Sequence, residues 1–187
     1  MELATFIERQ LESVRGILEG LIGDVTGSEW VSAPAPGLNP VGFTAWHIPS
    51  IQDWAINTWM RNAPTVRSRP EWAARGMMTS FLPIGVGLAG ADEIARAVTP
   101  QGVLAYADAV LEEARAFLAT FTPRRFDELP PNREHLADRR YEAPGYLADI
   151  ADMYGQPYWR VFAGACTGHC RGHLGELESS LAVIRAR

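Results

Sequence analysis

From Tyr158 to Arg187 the chain runs without a proline, and within that stretch His169 and His173 stand four residues apart. A segment of this kind reads as one long helix, and the four-residue spacing turns both imidazoles to the same side of it. Their Cβ atoms then lie about 5 to 6 Å apart, close enough to share one ion with Zn–N bonds of ~2.0 to 2.1 Å. A third imidazole alongside would complete a facial metal site. His47, alone in the apolar stretch FTAWHIPSIQDW, is the one the chain offers. An imidazolium between Trp46 and Ile48 is costly unless paired, and a neutral ring bound to a cation resolves that cost. A hydrogen-bonded core histidine is the competing reading.

The remainder also reads as helix. Leu3, Ile7, Leu11, Val14, Leu18 and Leu21 recur at threes and fours, the stripe of a first amphipathic helix ending near Gly23. Asn39 and Pro40 offer an N-cap and a first-turn proline for a second, running to about Arg61 and carrying His47. Pro49 lies inside it and leaves the Ala45 carbonyl without its intrahelical partner, so a kink is expected. From Ala63 to Thr99 a Pro- and Gly-rich excursion holds one short helix around Asp92 to Val98. Thr99 and Pro100 then cap a third helix, with Val103, Leu104, Ala107, Val110, Leu111, Ala114, Phe117, Leu118 and Phe121 at helical spacing. Thr122 to Asp149 is polar and proline-bearing, and Pro157 opens the fourth helix. Strand patterns are absent. Four helices with long connections predict an all-α, four-helix bundle with crossover connections.

On a wheel at ~100° per residue, Cys166, His169, Cys170, His173, Glu176 and Leu177 share one side of the last helix, while Gly164, Gly168, Gly172 and Gly175 gather opposite. Four helical glycines cost on the order of 4 kcal/mol unless close packing compensates. The stripe therefore reads either as a seat for the first helix or as a self-complementary dimer seam. On the histidine side, three imidazoles leave a fourth position for water or substrate, the pattern of catalytic zinc. A thiolate from Cys166 or Cys170 would close the site instead. Glu176, three residues past His173, reads either as a carboxylate orienting a ligand imidazole or as a solvated group. His135, in NREHLADRR, reads as an exposed loop residue.

Composition narrows the chemistry. With 187 residues, 47% of them hydrophobic, the chain can bury one sizeable core, and a single domain over 1–187 is expected. All 17 basic residues are arginine. Without lysine there is no Schiff-base chemistry, no pyridoxal phosphate attachment and no phosphate-binding P-loop. A net charge of −5 with no basic run argues against nucleic acid and acidic membranes as partners. No membrane span or signal peptide is evident, so a soluble, cytoplasmic protein is expected. Cys166 and Cys170, one turn apart, sit too far from each other for a disulfide, in keeping with a reducing compartment. Arg67, Arg69, Arg75 and Arg160 are candidates to clamp a carboxylate or phosphate.

Together, WHIPSIQDW in the second helix, TPQGVLAYADAVLEEARAFLATFTPRRFDEL as the third and HCRGHLGELESSL in the last resemble the DinB/YfiT-like superfamily of metalloenzymes. The family's histidine in helix 2 falls on His47. Its His-x-x-x-His, with the following residue, Gly and Glu, falls on His169, His173, Leu174, Gly175 and Glu176. The resemblance implies a four-helix bundle, often a homodimer, holding one divalent ion, zinc or nickel, through His47, His169 and His173. It further implies kinship with thiol-dependent S-transferases and mycothiol-dependent maleylpyruvate isomerase, in which mycothiol, bacillithiol or glutathione is activated by the metal against a small-molecule substrate. Thiolate, not thiol, is the nucleophile, so that role is chemically coherent. Trp46, Trp54 and the long loop are expected to line the pocket. The alternative is a metal-stabilised dimeric binding or stress-response protein without turnover, and water in place of thiol is a further variant of the enzymatic reading.

Overall fold

Helix α1, Leu3–Ile22, forms where its apolar stripe predicts, but the stripe turns slightly: Ile7, Leu11, Val14, Leu18 and Ile22 are buried, while Leu3 is exposed. Each such side chain contributes ~1.5 to 3 kcal/mol when taken fully out of water. This computed structural model describes residues 2–73, 75–77, 81–131 and 144–187, and His135 lies outside the described residues. Helix α2 runs as α-helix over Val41–Asp53 and continues as π-helix over Trp54–Met60. Its N-cap is Pro40, one residue later than expected, because Val41 N already donates to Ser32 O at 3.0 Å. Pro49 is carried within the α-helical part, and the change of pitch comes further on, at Trp54.

Every residue of α2 is buried, as its near absence of charge demands. Gly42 lets it begin there: a Cβ at that position would stand 2.6 Å from the Trp30 indole nitrogen. That indole donates to Val98 O at 2.9 Å and so ties the start of α2 to the end of the long connection. The connection contributes the helix Leu88–Ala97, longer than expected, which packs on α2. Helix α3, Pro100–Leu118, has the expected Thr99 cap, with Thr99 Oγ1 accepting from Gly102 N at 3.1 Å.

Helix α4 follows Pro157 in three parts: α-helix over Tyr158–Val161, π-helix over Phe162–Gly168 and α-helix over His169–Arg185. The two π segments, one in α2 and one in α4, touch each other. Neither was expected, and the glycine-rich, weakly helical run FAGACTG is the physical reason for the second. Its displaced carbonyls find side-chain donors, from Thr167 Oγ1 to Phe162 O at 3.1 Å and from Gln52 Nε2 to Cys166 O at 2.9 Å. Among the described residues the secondary structure is entirely helical. α1 packs on α3 and α4, and α2 packs on the same two from the inner side. No described helix is long and apolar enough to cross a membrane.

Asp53 closes the α-helical part of α2 and is fully buried. Its carboxylate accepts from Tyr106 Oη at 2.6 Å, Asn57 Nδ2 at 2.7 Å, Val66 N at 2.9 Å and Arg67 N at 3.3 Å. Burial pushes its pKa up, and those four donors oppose the shift. The cluster pins the start of the long connection to α2 and α3.

Candidate metal centre

The α-helical part of α4 begins at His169, so His169 and His173 keep their four-residue register and face α2, which packs along α4. His47, in the buried first half of α2, faces them. Its Nε2 lies 3.1 Å from His169 Nε2, and one metal-ligating atom from each of the three rings falls within 4.8 Å of the others. The ring centroids are 4.5 to 5.4 Å apart. Phe43, one turn before His47, stacks on its ring at 5.7 Å and holds it in place.

Two of the rings resist protonation. Burial first, and the neighbouring His173 and His169 after it, bring the His47 pKa down to about 3. Burial, then His173, also lowers His169. Among the described residues His47 Nδ1 is buried without a partner at hydrogen-bond geometry, the Pro83 backbone opposes the fall in pKa only weakly, and Nε2 shares a proton at most with His169. Three imidazoles whose ring nitrogens converge in this way suit a divalent cation. Two nitrogens 2.05 Å from a tetrahedral ion stand about 3.3 Å apart, close to the 3.1 Å of the His47–His169 pair. The donor set therefore fits a borderline ion such as zinc or nickel.

Glu176 supplies the outer partner. Its Oε2 accepts from His173 Nδ1 at 2.7 Å, which fixes the tautomer and turns His173 Nε2 inward. The hydrogen bond from His173 holds the Glu176 carboxylate below its usual range. The cysteines take no part in the cluster. Cys166 and Cys170 are fully buried, Cys170 Sγ points at the carbonyls of Ala165 and Ile48, and burial pushes the Cys170 thiol up to about 12. Thiols this hard to ionise in an apolar surround are inert.

The imidazoles open on a cavity of about 750 Å³. Trp54 lines it, as expected, together with Pro83, Ile84, Gly85 and Val86 from the long connection. Trp46 does not: it is fully buried, with the Arg67 guanidinium 5.2 Å from its ring. Arg69 pairs with Glu113 and Arg75 lies over Trp72, so of the four arginines only Arg160 reaches the cavity. The glycine stripe also stands differently from the wheel. With π-helix over Phe162–Gly168, Gly164 and Gly168 line the histidine cavity rather than the opposite side. At Gly164, Gly172 and Gly175 an added Cβ would meet nothing within 4 Å, so α1 does not seat on the stripe. The wider pitch of the π segment, in place of a uniform 100° step, is what brings Gly164 round toward the histidine side.

The family model described as DinB superfamily matches residues 10–177. No curated protein sequence and no solved structure matches the chain.

Proposed function

The chain belongs to the DinB superfamily, and from that premise we propose that it is a divalent-metal-dependent enzyme that activates a low-molecular-weight thiol, or a water, for transfer to a small electrophile. One observation carries the reading: the three imidazole nitrogens converge at the wall of a cavity large enough for a thiol and its partner. On this reading the four long helices are the four-helix bundle of that superfamily, forming one domain with the long connection as its crossover and pocket wall.

When bound, zinc or nickel would supply a Lewis acid that stabilises a thiolate or hydroxide at neutral pH. His47, His169 and His173 would hold the ion from one side and leave its other side to the cavity. Glu176 keeps the His173 ring in the liganding tautomer. Phe43, Ile51 and Trp54 give the cavity an apolar wall, beside which an electrostatic contact is stronger than in bulk water. In such a transfer the thiol would give its proton to solvent, its sulfur would form the new bond to carbon, and the leaving group would depart with its own electron pair. Arg160 and the glycines of α4 bear on which substrate enters.

Mycothiol, bacillithiol and glutathione, each with a fluorogenic alkyl halide and zinc- or nickel-loaded protein, test the reading. Conjugation well above the rate of thiol alone is expected, lost in His173→Ala and on chelation. Metal-loaded protein without turnover on any of the three would favour a binding protein instead. A homodimer in a reducing cytoplasm completes the proposal, with the open Gly172 and Gly175 surface as its seam; mass in solution checks it.

A further inference from the structure

Arg160, Gly164 and Gly168 succeed one another at four-residue intervals, and all three line the cavity together with His169 and His173. Residues so spaced stack along one side of a helix, and the π segment keeps that spacing close to one turn. The wall formed by α4 is therefore a stripe with a cation at one end, two missing side chains in the middle and the imidazoles at the other. The middle is open: among the described residues, a Cβ placed on Gly164 meets nothing within 4 Å beyond its own helix turn, and one on Gly168 meets only Ala163 O of the same helix, at 3.0 Å. Apolar groups face it, Ile51 and Trp54 from α2 and Val161 from α4. Arg160 is exposed and, among the described residues, forms no ion pair; its guanidinium lies over Trp159 at 5.8 Å. Nine residues separate Arg160 from His169, which at ~1.5 Å each is at most about 13 Å along the helix.

We propose that this stripe selects the substrate by charge and length. The pocket takes a linear, mostly apolar monocarboxylate about 10 Å long. Its carboxylate meets Arg160, its apolar run lies over Gly164 and Gly168, and its reacting atom reaches the imidazoles. Asp149 and Asp152 line the cavity as well and oppose any anion, a doubly charged one most, so a phosphate monoester is disfavoured relative to a monocarboxylate. The inference rests on the metal reading above, because the metal end defines where the ruler starts.

Cobalt(II)-loaded full-length protein, titrated with ω-functionalised hexanethiols, tests it through the thiolate-to-cobalt absorption band. 6-Mercaptohexanoate is expected to bind about fivefold tighter than 6-mercaptohexan-1-ol, the scale of one exposed ion pair. Arg160→Gln should erase that preference, while Gly164→Leu should weaken both thiols without lowering cobalt content. Equal affinity for acid and alcohol, tightest binding of 6-aminohexane-1-thiol, or an undiminished preference in Arg160→Gln overturns the proposal and leaves the metal reading standing. Wild-type protein that takes up no cobalt overturns both.

Discussion

His47 and His169 are 122 residues apart in sequence, and their Nε2 atoms are 3.1 Å apart in space. Such proximity between two ring nitrogens, with a third ring alongside and no acid in the triad itself, gives little reason to exist without a cation. Untagged protein should therefore carry about one divalent ion per chain by elemental analysis. His173→Ala should lose most of it. A metal-free wild type, or a variant that keeps its metal, would remove the three-histidine assignment.

Glu176 touches His173 and not the cavity, so it orients a ligand rather than contributing one. Glu176→Gln should lower metal affinity about 10- to 100-fold in a competition titration, with the helical circular dichroism spectrum unchanged. An affinity equal to wild type would show that the carboxylate merely decorates the helix end.

Metal-free protein should lose stability in mild acid. His47 has its folded pKa depressed to about 3 from 6.5, so below 6.5 the unfolded chain binds a proton that the native one refuses. Stability is whole above that value and falls by ~1.4 kcal/mol per pH unit, about 2 kcal/mol by pH 5. His169 adds in the same direction; Asp53, whose folded pKa is raised, works in the opposite one. Urea midpoints of wild type and His47→Leu across pH 7 to 5 isolate the His47 share. Parallel pH profiles for the two proteins would contradict it.

Gly42 should not tolerate a side chain. The Cβ of Gly42→Ala would press on the Trp30 indole, whose hydrogen bond to Val98 limits its retreat. A loss of ~1 to 3 kcal/mol by denaturant unfolding is expected. Gly16, where a Cβ meets nothing within 4 Å, is the control, and Gly16→Ala should be neutral or stabilising.

The four long helices and the His169–His173 pair were legible because each rests on a local rule: stripes at threes and fours, Thr99 before Pro100, imidazoles four apart. Glu176 was legible as one of two readings for the same reason. His47, 122 residues from His169, was legible only through its apolar flanks and the family resemblance. What stayed hidden depends on partners distant in sequence. Trp46 and Trp54 look alike in the sequence, yet only Trp54 lines the cavity, since Arg67 covers Trp46. Nothing local marks Tyr106, whose hydroxyl donates to Asp53, 53 residues away in the chain. The glycines of α4 were misread for a different reason. A wheel assumes one pitch, and FAGACTG changes it, with Thr167 and Gln52 supplying the hydrogen bonds that the change requires.

That change of pitch sets the phase between the two halves of the helix. A π turn holds one residue more than the α turn it interrupts. Deleting a single residue from Phe162–Gly168 would therefore let Tyr158 to Arg185 wind as one regular helix with its two halves close to their present phase. Forcing α pitch on the full-length run would instead swing everything beyond it by roughly 100° against everything before it. If His169 and His173 kept facing His47, Phe162 and Tyr158 would leave the core; if those aromatics stayed, the imidazoles would turn away. The irregular turn is thus a phase adjuster between two halves of one helix, one half keyed to the aromatic core and the other to the histidines.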